Sequence, residues 1–124
     1  MSSESIINDT FNLWCQAIKT QDPDQVLPLY APNAVLLPTL SDQLCNRPDQ
    51  IRDYFIHFLK KQPVCQIDEG VSKVNTDAGL AFYSGHYTFQ MGDQSQVKAR
   101  FTFVYEQQDG QWLISSHHSS LQPS

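Results

Sequence analysis

Gln108-Asp109-Gly110-Gln111-Trp112-Leu113-Ile114-Ser115-Ser116-His117-His118-Ser119-Ser120 is the stretch that decides the fold of this chain. Asp-Gly predicts a tight hairpin, because two-residue primed turns need positive φ and glycine adopts it without steric cost. Before it stands Arg100-Phe101-Thr102-Phe103-Val104-Tyr105, rich in the β-branched and aromatic residues that suit strands. Strand side chains alternate faces, so Trp112, Ile114, Ser116, His118 and Ser120 are expected on one side. Leu113, Ser115, His117 and Ser119 take the other. With a two-residue turn, Phe103 is expected opposite Ser116 and Phe101 opposite His118. One face then carries Phe101, Phe103, Tyr105, Trp112 and Ile114 and ends in Ser116, His118 and Ser120. An apolar wall with a polar cluster is the usual build of a small-molecule pocket.

The rest of the composition narrows the class. The 124 residues suit one domain, 1–124, with a real core. Forty per cent hydrophobic and 17% charged residues are those of an ordinary globular protein. Eight basic against 13 acidic residues give a net charge of −5, which argues against nucleic acid or an anionic membrane as partner. No apolar run approaches the ~20 residues of a membrane helix. Met-Ser-Ser-Glu-Ser lacks the basic and apolar regions of a signal peptide. Cys15, Cys45 and Cys65 are odd in number and lack CxxC spacing, which reads as free thiols in a reducing cytoplasm.

Read in order, residues 3–21 predict a helix with Ile7, Phe11, Trp14 and Ile18 on one stripe. Asp22-Pro23 starts a short helix over 24–30, distorted by Pro28. Ala34-Val35-Leu36-Leu37 predicts a buried strand, and Pro38-Thr39-Leu40-Ser41-Asp42 a loop. Asn46 is expected to cap a third helix with Pro48 in its first turn, running to Lys61 and presenting Ile51, Tyr54, Phe55, Phe58 and Leu59. Beyond Pro63 the pattern is strand: 66–75, then 80–91 with Tyr83, Gly85, Tyr87 and Phe89 on one face, then the hairpin. Helices followed by an antiparallel meander predict an α+β cone, with N-terminal helices packed on a strongly curved, mostly antiparallel sheet that encloses a pocket.

Within that cone, His118 and Ser120 are the sharpest candidates, since a neutral imidazole handles protons near pH 7. The residues equally allow His118 to close the core by bonding a backbone group or Tyr105. His117 and His118 are expected on opposite faces, so they do not make a metal pair, and no HxH or HExxH spacing occurs. No metal and no other cofactor is expected. No phosphate loop or nucleophile elbow is visible. Outward Phe82, Thr102, Val104 and Leu113 predict an apolar strip and a homodimer through the outer sheet face.

The run from Asp22-Pro23-Asp24 through Leu29-Tyr30-Ala31-Pro32-Asn33-Ala34-Val35-Leu36-Leu37-Pro38-Thr39 to Ile51-Arg52-Asp53-Tyr54-Phe55 resembles the nuclear-transport-factor-2-like (SnoaL-like) superfamily. With the terminal hairpin, the chain is similar to two of its groups. These are the calcium/calmodulin-dependent protein kinase II association domain and the iota class of carbonic anhydrases. Leu-Pro-Thr, Ile-Arg-Asp-Tyr-Phe and His-His-Ser-Ser together favour the second. That group usually ends His-His-His-Ser-Ser; here Ser116 replaces the first histidine. The resemblance implies a metal-independent site of Thr39, Tyr54, His118 and Ser120, acting on carbon dioxide and bicarbonate. It also implies a non-catalytic alternative, an oligomerising or small-ligand-binding module. The association domain's pocket is lined by arginines, where this chain has Phe101, Phe103 and Tyr105.

Overall fold

A computed structural model describes residues 3–39 and 41–123, with only the backbone of Ser3 and Glu4. Leu40 of the expected loop lies outside the described residues, as do Met1, Ser2 and Ser124. The first helix, α1 (Ser3–Lys19), buries Ile7, Phe11, Trp14 and Ile18, the stripe the spacing predicts. It ends where Gln21 takes a φ of 63°. Asp22 then caps α2 (Pro23–Val26) by accepting from the Asp24 N–H at 2.9 Å, with Pro23 in the first turn. A 3₁₀ turn over Leu27–Leu29 absorbs Pro28, which could not continue an α-helix.

Strand β1 (Tyr30–Leu37) starts four residues before the expected strand, because Tyr30 already pairs in parallel with Ile114. The third helix, α3 (Pro48–Leu59), corrects the expected cap. Arg47, not Asn46, is the cap residue, and its side chain makes no capping bond. Pro48 occupies the first turn, and a residue before proline is driven to extended backbone, here φ −135° and ψ 149° at Arg47. Asn46 instead donates its N–H to Gln50 Oε1 at 3.0 Å.

Strands β2 (Val64–Asn75), β3 (Leu80–Gln90), β4 (Gln96–Gln108) and β5 (Gln111–Leu121) complete a sheet of order β1-β5-β4-β3-β2. All its pairs are antiparallel except β1 with β5. The sheet bends where Gly70 pairs with Gly85, just past an irregularity at Asp68. A Cβ on Gly85 would lie 2.0 Å from the Glu69 carbonyl oxygen, so only glycine permits this approach. Inside the curve Phe11 of α1 packs on Tyr83, Phe101 and Phe103, and Trp14 on Tyr87, Phe89 and Phe103. This is the α+β cone.

The hairpin turn has two residues, Asp109 and Gly110 at φ 51° and 82°, with Gln108 paired to Gln111. The expected register holds up to Tyr105 opposite Ile114 and then slips. Ser115 bulges, so Val104 faces Ser116, Phe103 faces His117 and Phe101 faces Ser119. An extra residue in one strand reverses which face every later side chain occupies. His117 and Ser119 are therefore buried inside the cone, while His118 is exposed and Ser116 and Ser120 lie half-buried on the outer face. The expected placement of Ser116, His118 and Ser120 in the pocket is thus corrected.

Candidate functional site

A cavity of about 270 Å³ opens between α3, the segment after β1, and the inner faces of β3 and β5. Its floor is apolar, with Trp14, Leu36, Phe55, Phe89 and Met91, and its rim carries Asp53, His57 and Lys61. Five side chains with hydroxyls line it: Thr39 and Ser41 after β1, Tyr54 on α3, Tyr87 on β3 and Ser119 on β5. His117 lies beneath them.

Thr39, Ser119, Tyr87 and His117 join Tyr30 and Trp14 in one continuous hydrogen-bonded chain. Trp14 Nε1–H donates to the Tyr30 hydroxyl oxygen at 3.2 Å. The Tyr30 hydroxyl lies 2.8 Å from His117 Nδ1, and His117 Nε2 lies 3.2 Å from the Tyr87 hydroxyl. Tyr87 donates to Ser119 Oγ at 2.5 Å, and Ser119 bonds Thr39 Oγ1. Because the one phenolic proton of Tyr87 goes to Ser119, His117 must donate from Nε2. A neutral ring then has a bare Nδ1, which accepts from Tyr30. The tautomer follows from the donors around it.

Every member is neutral near pH 7. Burial, with a smaller contribution from His118, pulls His117 down from its ordinary 6.5 to about 3. Burial also raises Tyr30, Tyr54 and Tyr87 above the ordinary phenol value of 10.0. The Tyr54 hydroxyl has no protein partner among the described residues. At the rim His57 donates its Nδ1–H to the Asp53 carbonyl at 2.9 Å. Among the described residues no group of three His, Cys, Asp or Glu is placed to hold a metal ion. Both nitrogens of His117 are already taken by phenols.

Of the residues expected at the site, the cavity gathers Thr39, Tyr54 and Tyr87 and leaves out His118, Ser120 and Ser116. Phe101, Phe103 and Tyr105 do face inward, but they lie in the core against α1 and one another rather than on the cavity wall. Trp112, opposite Gln107 near the turn, packs half-buried against the core and also misses the cavity. His117, Ser119, Tyr30 and Trp14 were not legible as site residues. His-His-Ser-Ser offers one histidine and one serine to either face, so the motif reads the same before and after the slip.

Two of three comparisons place the chain. The family model described as "Calcium/calmodulin dependent protein kinase II association domain" matches residues 3–123. Comparison with curated proteins gives no match. A Xanthomonas campestris structure described as a candidate association domain of that kinase is 41% identical, with a TM-score of 0.90 over 95% of this chain and 86% of its own. An NTF2-like protein of unknown function from Pseudomonas putida KT2440 is 18% identical, with a TM-score of 0.84 over 100% and 91% of the two chains. A candidate ketosteroid isomerase from Parabacteroides distasonis is 18% identical, with a TM-score of 0.74 over 90% and 84%. The last two show the shared fold. The chain belongs to the calcium/calmodulin-dependent protein kinase II association domain family, on the nuclear-transport-factor-2-like cone.

Proposed function

We propose that the cavity hydrates carbon dioxide reversibly to bicarbonate without a metal, in the manner of the iota-class carbonic anhydrases. The observation that carries this reading is the convergence of the Thr39, Tyr54 and Ser119 hydroxyls on one largely apolar cavity over a neutral His117. The apolar floor suits carbon dioxide, and the hydroxyls suit the charge that develops on bicarbonate oxygens. His117 is no base here, because burial disfavours its charged form and both its nitrogens are engaged. It orients Tyr87, which orients Ser119. The attacking water's proton passes through the cavity mouth to a base in bulk solvent, water or buffer, and bicarbonate is left in the cavity.

A hydrogen bond to a charged group contributes about 1.5–3 kcal/mol. Two such bonds made chiefly in the transition state lower the barrier by roughly 3–6 kcal/mol, about 10² to 10⁴ in rate. Turnover should fall far below the ~10⁶ s⁻¹ of the fastest zinc carbonic anhydrase. Stopped-flow carbon dioxide hydration on chelator-treated protein tests the proposal. No rate above buffer from folded protein removes it.

The family favours a second reading, an assembly module without catalysis. Its support here is the outer sheet face, where Phe82, 36% exposed, pairs with Val104 beside the bonded pair Ser84 and Thr102. Oligomers in solution together with no hydratase activity would favour it.

A further inference from the structure

We infer that Tyr30, its oxygen already occupied by the Trp14 N–H, is a positioning residue that fixes the direction of the hydrogen-bond chain and so delivers a spare proton to the cavity, selecting an oxyanion as ligand. Trp14, Tyr30, His117, Tyr87, Ser119 and Thr39 bring six protons to five shared hydrogen bonds. One proton is left over. Where it sits depends only on which way the chain runs.

Tyr87 donates to Ser119, and that direction requires Nε2–H to donate to Tyr87 and Tyr30 to donate to the bare Nδ1. The spare proton then belongs to Ser119 or Thr39 and points at the cavity, where an oxyanion accepts it. In the reverse direction Thr39 donates to Ser119, Ser119 to Tyr87, Tyr87 to Nε2, and Nδ1–H to Tyr30. The cavity end would then offer only lone pairs, which repel an anion. The spare proton would be stranded on Tyr30, which is 5% exposed and whose other polar neighbour, Trp14, is itself a donor. Stranding a buried donor disfavours that state by roughly 5- to 150-fold. Trp14 can never accept, so the core end of the chain cannot reverse.

The ligand's identity as bicarbonate rests on the proposed function; the direction of the chain does not. Long-range nitrogen–proton NMR on the full chain reads the His117 tautomer. The wild type should show a single neutral tautomer protonated at Nε2. In Tyr30→Phe, with its fold checked by circular dichroism, the Nδ1-protonated form should become populated. Bicarbonate affinity, titrated with the sodium salt, should weaken in proportion, by about twofold at equal populations. An Nδ1-protonated or imidazolium ring in the wild type at pH 7 overturns the inference, even if Tyr30→Phe does not fold. So does a Tyr30→Phe protein whose tautomer is unchanged, or a wild type that binds no bicarbonate. Correct tautomers and bicarbonate binding without hydratase activity would sustain the inference and remove the proposed catalysis.

Discussion

Phe103 stands directly across the β4–β5 ladder from His117, and the two rings stack with centroids 4.0 Å apart and planes 18° from parallel. That contact buries His117 and turns its neighbour His118 to the surface. Ser119 follows His117 inward and Ser120 follows His118 outward.

Substitutions on this strand should therefore divide by face. Ser119→Ala removes one hydrogen bond to the bound anion and should cost about 1.5–3 kcal/mol, roughly ten- to a hundredfold in carbon dioxide hydration. Ser120→Ala and His118→Ala should leave the rate within a factor of two or so, as surface changes of about 0.5 kcal/mol do. Equal losses at Ser119 and Ser120 would contradict the bulge at Ser115.

Stability should fall on mild acidification because of His117. Its folded-state value, about 3, lies below its ordinary 6.5, so between these the unfolded chain binds the extra proton. The stabilising contribution is complete above pH 6.5 and drains as pH falls toward 3, at up to about 1.4 kcal/mol per pH unit. Urea unfolding at pH 7, 6 and 5 measures the slope. His117→Gln should flatten it over that range; an unchanged slope would place the titration elsewhere.

Tyr105→Phe should be neutral or stabilising, by up to about 1 kcal/mol. The Tyr105 hydroxyl is fully buried with no hydrogen-bond partner among the described residues, so deleting it removes a desolvated donor and little else. Thermal unfolding checks this, and a fall in midpoint of several degrees would show that the hydroxyl is bonded.

The two glycines at the bend of the sheet should respond unequally. A Cβ at Gly85 meets backbone, the Glu69 carbonyl at 2.0 Å, which cannot move without opening the curve. A Cβ at Gly70 meets the Tyr83 ring at 2.5 Å, and a side chain can yield. Gly85→Ala should cost about 3 kcal/mol or more and Gly70→Ala nearer 1 kcal/mol, the two ends of the overpacking range. Urea midpoints measure both.

The outer face supplies the last test. If it joins two copies, Val104→Asp should shift the sedimenting species toward monomer at micromolar concentration and leave the inward-facing cavity intact. A wild type already monomeric there rules out the homodimer.

Local chemistry was enough for much of this protein. The i, i+4, i+7, i+11 stripe of α1, the Asp22-Pro23 start of α2, the Asp109-Gly110 turn and the alternation Tyr83, Tyr87, Phe89 on β3 each follow from periodicity or backbone sterics within a few residues. So does the cone, because helices followed by a meander have few other ways to cover one sheet face. Thr39 and Tyr54 came from resemblance, and the structure brings them to the cavity. Which histidine and which serine join them was decided only in three dimensions. Leu113-Ile114-Ser115-Ser116 carries no glycine or proline to announce a bulge, and either face of His-His-Ser-Ser satisfies the motif. The choice is made by groups far away in sequence: Phe103 to stack on the ring, and the Tyr30 and Tyr87 phenols to satisfy both of its nitrogens. A buried imidazole is tolerable only where such partners already stand, and sequence spacing does not record where they will be.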